Sequence, residues 1–273
     1  MTTEIARVVS EAYRWQRRLG NTLIAAPHCH IVADPSRPDV WDCNHADEVT
    51  AETDAAIDAV LAAMELHLHH TPWRVIHTDA FTPDAFLARL ALEDFKERPV
   101  TIQMVLRGEL AMHGPDIALR LVTSDADWAA LQDLVRADHV EGRRTAGLDL
   151  SPAFSEKLVT AYKAKSSAYH FQLVIKDSLP VAYGAYAAAP NGGGMIEDLF
   201  TLPSARRQGI ATAMIAAFTG RLRQSGCHTV FLGALASEPP KRLYHRLGFH
   251  PVGLARSWVK DVQASAEPAS GAR

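Results

Sequence analysis

Residues 201–214, TLPSARRQGIATAM, decide how the chain is read. The strand-like run MIEDLFTL (195–202) enters this stretch. An amphipathic run leaves it, with Ala211, Met214, Ile215, Phe218 and Leu222 at helical spacing. Gly226 then offers a left-handed stop. A strand turning into a helix through Arg206, Arg207, Gln208 and Gly209 makes an anion site. The first amides of a helix have no internal acceptor, and the helix dipole adds positive potential there. Gly209 and Ala211 admit a ligand close to the backbone, and Arg206 and Arg207 can pair with phosphate. A pyrophosphate fits this description. A solvent-exposed turn with two arginines is the plainer alternative, since short glycine motifs are weak. No Gly-Lys-Ser/Thr follows, so this is not the ATP-binding phosphate loop.

Working outward, the second half predicts a strand at 118–123, a helix from Ser124 or Asp125 carrying Trp128, Leu131, Leu134 and Val135, and a helix over 152–165. YHFQLVIK, LPVAYGAYAAA and MIEDLFTL read as three strands. Asp177-Ser178 separates the first two and PNGGG (190–194) the last two, both suited to hairpins. Strand 228–235, helix 239–247 and strands near 249–260 complete the half. The first half predicts a helix at 3–18, a strand at 22–33, and over 37–49 a turn into a second strand. Helices over 50–70 and from Thr82-Pro83 to Phe95, with strands at 73–79 and 99–106, follow. The turn-rich RGELAMHGPD (107–116) is the expected domain boundary.

From Ala118 onward, this order resembles the GNAT (GCN5-related N-acetyltransferase) superfamily. The family's Arg/Gln-x-x-Gly-x-Gly/Ala block stands here as Arg206-x-x-Gly209-x-Ala211, preceded by Pro203. Its Leu-Tyr-x-x-Leu-Gly-Phe block stands as residues 243–249, LYHRLGF. The resemblance covers about residues 116–262 and implies an α/β (α+β) fold, a mixed central sheet flanked by helices. It implies acetyl-CoA as cosubstrate. The amides of Arg207, Gln208, Gly209, Ile210, Ala211 and Thr212 would hold the pyrophosphate, and the backbone of Leu199, Phe200 and Thr201 would pair with the pantetheine arm. Two positions depart from the pattern. Ser237 stands where members often carry asparagine, and Arg207 where glycine is common.

Acyl transfer to an alkylamine of pKa ~10 needs a group that removes the ammonium proton. Strict alternation along 195–202 puts Glu197 on the face of Met195, Leu199 and Thr201, and Asp198 on that of Ile196 and Phe200. The resemblance, here to small-amine and polyamine acetyltransferases, implies Glu197 as base, often through water, and Tyr244 as the acid for the departing thiolate. Asp198 reads as structural, paired with a basic residue. Amides near Leu199–Phe200 would polarise the thioester carbonyl. Cys227, at a helix-to-strand turn, is not placed as a nucleophile, so direct attack is expected. The acceptor is expected to be the primary amine of a small molecule, with contacts from the first domain and from a loop over 139–151 that includes Arg143 and Arg144. A protein lysine or N-terminal acetyltransferase and a non-catalytic acyl-CoA sensor remain alternatives.

Residues 20–107 repeat the order strand, strand, helix, strand, helix, strand. FLARLALEDF (86–95) resembles LYHRLGF, with Leu87 where the tyrosine stands, and the junction EVTAETDAAID (48–58) lacks glycine. The reading is therefore a tandem arrangement: residues 1–115 a degenerate GNAT-like domain without a CoA site, 116–262 the catalytic domain, and 263–273 a disordered tail. Charge agrees. Residues 1–115 hold 10 Lys+Arg and 17 Asp+Glu (−7), while 116–273 hold 18 and 14 (+4). The chain, at 273 residues and net −3, has room for two cores, no strong basic excess for nucleic acid and no membrane-length apolar run. Its charged opening lacks a signal peptide's apolar stretch, and three scattered cysteines form no zinc pattern, so a cytoplasmic monomer or homodimer is expected. The histidines of HCH (28–30) and HLHH (67–70) suit a metal by spacing, but no metal is expected.

Overall fold

The computed structural model describes residues 2–146 and 151–262, without the side chains of residues 2 and 143–146. It divides into two compact units, and neither is one continuous stretch of chain. Among the described residues, the larger unit takes those up to Leu19, Ile102–Ala234 and Glu238–Val252; the smaller takes Gly20–Thr101, Leu235–Ser237 and residues 253–262. The expected division at 115/116 therefore does not hold for α1 (Thr2–Arg18), whose Val9, Ala12 and Tyr13 are buried in the larger unit's core. The reason is packing: an amphipathic helix goes where its apolar face is covered.

The smaller unit contains β1 (Thr22–Ala26), β2 (Cys29–Ala33), β3 (His45–Asp47), α2 (Asp54–His67), β4 (Trp73–Thr78), α3 (Asp84–Leu92) and β5 (Lys96–Glu97). Residues 22–33 are a hairpin and not one strand, because His28 turns the chain at φ 62. A short 3₁₀ turn at Trp41–Cys43 leads into β3. Pro83 precedes α3 as its N-cap, while the Thr82 hydroxyl accepts the amide of Asp79. Strand β2 pairs antiparallel with β1 and β3, and β3 pairs parallel with β4 across α2. Ile31, Ile57, Val60, Met64, Phe86 and Leu90 form the core.

The larger unit adds β6 (Thr101–Leu106), β7 (Ala118–Leu121), α4 (Asp125–Ala146), α5 (Pro152–Ala164), β8 (His170–Lys176), β9 (Leu179–Ala188) and β10 (Gly193–Thr201). After these come α6 (Ile210–Gln224), β11 (Thr229–Leu235), α7 (Pro240–Arg246) and β12 (Phe249–Asp261), whose later residues belong to the smaller unit. Residues 249–260 are thus a single strand. Both expected hairpins form; Asp177 and Ser178 turn the first with φ 51 and 66. Strands β7 to β10 are antiparallel neighbours, and β10 pairs parallel with β11 across α6. One sheet face carries Met195, Phe171, Tyr183 and Phe231 under α1, α4 and α5; the other carries Ile196, Val230 and Leu232 under α6 and α7. Helix α4 opens with a reciprocal cap between Ser124 and Asp127 and runs through residue 146. Part of the loop expected over 139–151 is therefore helix. The side chains of Arg143 and Arg144, and the tail 263–273, lie outside the described residues.

Candidate active site

The site is organised by one extra residue in β10. Glu197 faces Ala185 of β9 and Phe200 faces Tyr183, so three steps on β10 oppose two on β9. Asp198 takes up the excess with φ 54, a β-bulge. Alternation is broken there. Met195 and Phe200 share the face under α1, α4 and α5, and Ile196 and Leu199 share the opposite one. The Leu199 side chain crosses Gly184, where a Cβ would meet it at 2.6 Å. The expected assignment of Glu197 and Asp198 to opposite faces is therefore corrected: both carboxylates meet tyrosines of the first face. The Tyr13 hydroxyl of α1 donates to Glu197 Oε1. Tyr162 and Tyr169 donate to Asp198 Oδ1 and Oδ2 at 3.0 and 2.8 Å. Asp198 thus has two phenols among its partners.

Further carboxylates approach from α4. Asp138 accepts from Tyr183 at 3.1 Å. Burial pushes its pKa up to about 6; Asp198, Glu141 and Glu238 add to the rise, and the Tyr183 hydrogen bond opposes it. Tyr244, on α7, is buried, and burial raises its pKa well above the phenol range, with Glu197 and Glu238 contributing. It is a neutral phenol at any working pH, able to donate a proton or a hydrogen bond.

Beside the bulge the sheet parts. The parallel ladder of β10 with β11 runs from Gly193↔Thr229 to Ile196↔Leu232 and ends there, although β10 continues to Thr201 and β11 to Leu235. The backbone of Leu199, Phe200 and Thr201 thus lies past the last recorded pair with β11. Their side chains do not make the opening: Phe200 is buried in one core and Leu199 packs against the other. A 3₁₀ turn at Pro203–Ala205 then delivers the chain to α6.

At that junction Gly209 is the N-cap with φ 78, and a Cβ there would stand 2.7 Å from Pro115 Cδ. Glycine is required on both counts. The first internal bond of the helix is from the Ala213 amide to the Gly209 carbonyl at 3.0 Å, so the amides of Ile210, Ala211 and Thr212 have no acceptor within it. Ile210 is buried and can offer only its amide. Arg207, exposed, adopts φ 64 where glycine would be unstrained. The Gln208 side chain receives the Lys176 ammonium.

Two expected donor-site residues are placed differently. Arg206 forms a two-pronged pair with Glu141 of α4 at 2.7 and 2.6 Å, and its Nε donates to the Thr201 carbonyl at 2.9 Å. Its guanidinium thus joins the loop to α4. Ser237 groups with the smaller unit, next to Ala236, whose amide bonds the Val100 carbonyl at 2.8 Å. The sequence reading missed Tyr13, Asp138, Tyr162, Tyr169 and Tyr183. Each sits in an ordinary amphipathic run, and only the fold brings the hydroxyls to carboxylates up to 184 positions away.

The model of the acetyltransferase (GNAT) family matches residues 128–249. No curated protein matches the sequence. Among solved structures, the chain is similar to a GCN5-related N-acetyltransferase from Kribbella flavida, with TM-score 0.66, 18% identity, and 93% and 95% of the two chains covered. It is similar to a functionally unknown conserved protein from Staphylococcus epidermidis, with TM-score 0.66, 16% identity, and coverage of 88% and 94%. A tandem GNAT protein from the clavulanic acid biosynthesis pathway aligns with TM-score 0.57 and 11% identity, covering 83% and 76%. At these identities the likeness is one of fold.

Proposed function

Residues 128–249 belong to the GNAT acetyltransferases, and from that premise we propose that the chain transfers acetyl from acetyl-CoA to the primary amine of a small cationic molecule by direct attack. The residues present fit the cosubstrate. The β10–β11 ladder opens beside Leu199–Thr201, and the α6 amides stand without internal acceptors behind a left-handed Gly209. Bound acetyl-CoA supplies the acetyl thioester. Glu197 takes the proton of the acceptor ammonium, directly or through a water, and leaves a free lone pair for attack. Tyr13 holds the Glu197 carboxylate in one place. Tyr244 donates to the departing sulfur.

The observation that carries the reading is the gathering of Glu197, Asp198 and Asp138 at the splay, with Glu141 and Glu238 close enough to raise the Asp138 pKa. Such a concentration of carboxylates favours an acceptor with positive charge and disfavours anionic ones. Acetyl-CoA consumption measured against diamines, monoamines, amino acids and aminoglycosides tests this. Cationic amines are expected to turn over and N-blocked or carboxylate-rich ones not. In the same assay, Glu197→Gln should lose 10²–10⁴-fold at neutral pH and recover as free amine becomes abundant at high pH. CoA binding with no turnover on any amine would make the protein a sensor instead.

A further inference from the structure

In the smaller unit, an acidic pair also stands where a strand leaves its parallel partner. Ala46 of β3 pairs with Ile76 of β4, as Ile196 pairs with Leu232, and Asp47-Glu48 follow as Glu197-Asp198 do. Glu48 has φ 54, the same value as Asp198. The surroundings differ. Asp198 meets tyrosines, whereas Asp47 and Glu48 meet histidines.

His30 is paired directly with Asp47 across the β2–β3 ladder, and Val32 with His45. Opposed residues share a sheet face, and alternation puts His30, His45 and Asp47 on one face. The other face, with Cys29, Ile31 and Ala46, is the apolar core. His30 Nδ1 lies 3.1 Å from Glu48 Oε2 and makes no hydrogen bond, although the nitrogen is buried. Donor atoms of His30, Asp47 and Glu48 all lie within 4.8 Å of one another. His45 is fully buried. Its Nδ1 stands 3.3 Å from the Trp41 carbonyl, which can only accept, so Nδ1 carries the hydrogen. In the neutral ring Nε2 is then a bare lone pair. It has no hydrogen-bond partner and faces Asp47 Oδ2 at 3.7 Å. A lone pair opposed to a carboxylate repels unless a cation stands between them. An imidazole whose other nitrogen donates to a backbone carbonyl is oriented as a metal ligand is.

We propose that the smaller unit binds one divalent transition-metal ion through His30, Asp47 and Glu48, with the buried His45 Nε2 turned toward Asp47 beside them. The donors are nitrogen and oxygen, which suits Zn²⁺ or Mn²⁺ over the all-oxygen preference of Mg²⁺. The buried Cys29 belongs to the opposite, apolar face and supplies no thiolate. The side chains of His30 and Glu48 are 33% and 38% exposed, giving an ion an entrance from solvent. The alternative is an imidazolium at His45 paired with Asp47 and no ion.

The full chain, stripped with a chelator, is titrated calorimetrically with Zn²⁺, Mn²⁺ and Mg²⁺, and its melting temperature is recorded with and without Zn²⁺. One Zn²⁺ per chain is expected, tighter than Mg²⁺ and accompanied by a rise in melting temperature. Glu48→Gln and His30→Ala, both at partly exposed positions, should each weaken Zn²⁺ by at least about 100-fold, since even second-layer changes cost 10–100-fold. His69→Ala, in an exposed residue bonded to the Leu66 carbonyl, should bind as wild type. No binding by the wild type, unchanged affinity in both variants, or loss in His69→Ala would each overturn the site.

Discussion

At the scale of single residues, Asp198 does most to shape the site. Its left-handed backbone puts two adjacent carboxylates on one face of β10, where an unbroken strand would have sent one to each. Nothing in EDLF announces a bulge, so alternation placed Glu197 and Asp198 on opposite faces. Asp138 makes a titratable consequence. Its pKa in the folded chain is about 6 against an ordinary 3.8, so the folded state holds the proton more tightly than the unfolded chain. Its contribution to stability is fully present below the unfolded value and is lost as pH rises from about 4 to 6. Two units correspond to at most about 3 kcal/mol. In Asp138→Asn, thermal midpoints recorded from pH 4 to 7 should fall less with rising pH than the wild type's, leaving the variant more stable at pH 7. Parallel profiles would show that Asp138 does not carry that cost.

At the scale of elements, the junction into α6 was legible because its signals are local. A strand, a glycine needing positive φ and an apolar helical face all fall within about 30 residues. The pairing of Arg206 was not, because its partner Glu141 is 65 positions away on α4. Gly209 itself is a poor place to test the anion site. Any side chain there meets both the left-handed backbone and Pro115. Ala211 is better, lying half-buried in the first turn of α6. In Ala211→Glu the acid favours the helix dipole, by roughly 0.3–1 kcal/mol, and so leaves stability intact or raised. The same carboxylate would occupy and repel the anion position. Calorimetric titration with CoA should therefore show affinity lowered by at least about tenfold, while the melting temperature does not drop. Unchanged CoA affinity would remove the α6 amides from the donor site.

At the scale of the whole molecule, the succession of elements along the chain was largely readable and the partition of the chain was not. The smaller unit runs antiparallel, antiparallel, parallel over β1, β2, β3 and β4, with α2 before the last strand. The larger unit runs the same way over β8, β9, β10 and β11 with α6. Periodicity predicts such elements; it does not say which sheet a strand will join. Strand β6, read as the end of the first domain, has its residues from Ile102 in the larger unit and lies between β11 and β12 in strand order. A fragment of residues 116–273 thus lacks both β6 and α1, and with them the buried Met104, Val105, Leu106, Val9 and Tyr13. Losing an inner strand and a core helix exceeds what a marginally stable unit tolerates, so the fragment should be insoluble or lack a cooperative melt. The intact chain should bind one CoA. At the start of α2, the Thr53 hydroxyl already accepts the Ala56 amide at 3.3 Å, and Asp54 occupies the first turn, where an anion would be repelled. Calorimetry on the intact chain measures the stoichiometry. Two CoA per chain would give the smaller unit a donor site of its own, and a soluble, cooperatively melting 116–273 would return α1 and β6 to a separate domain.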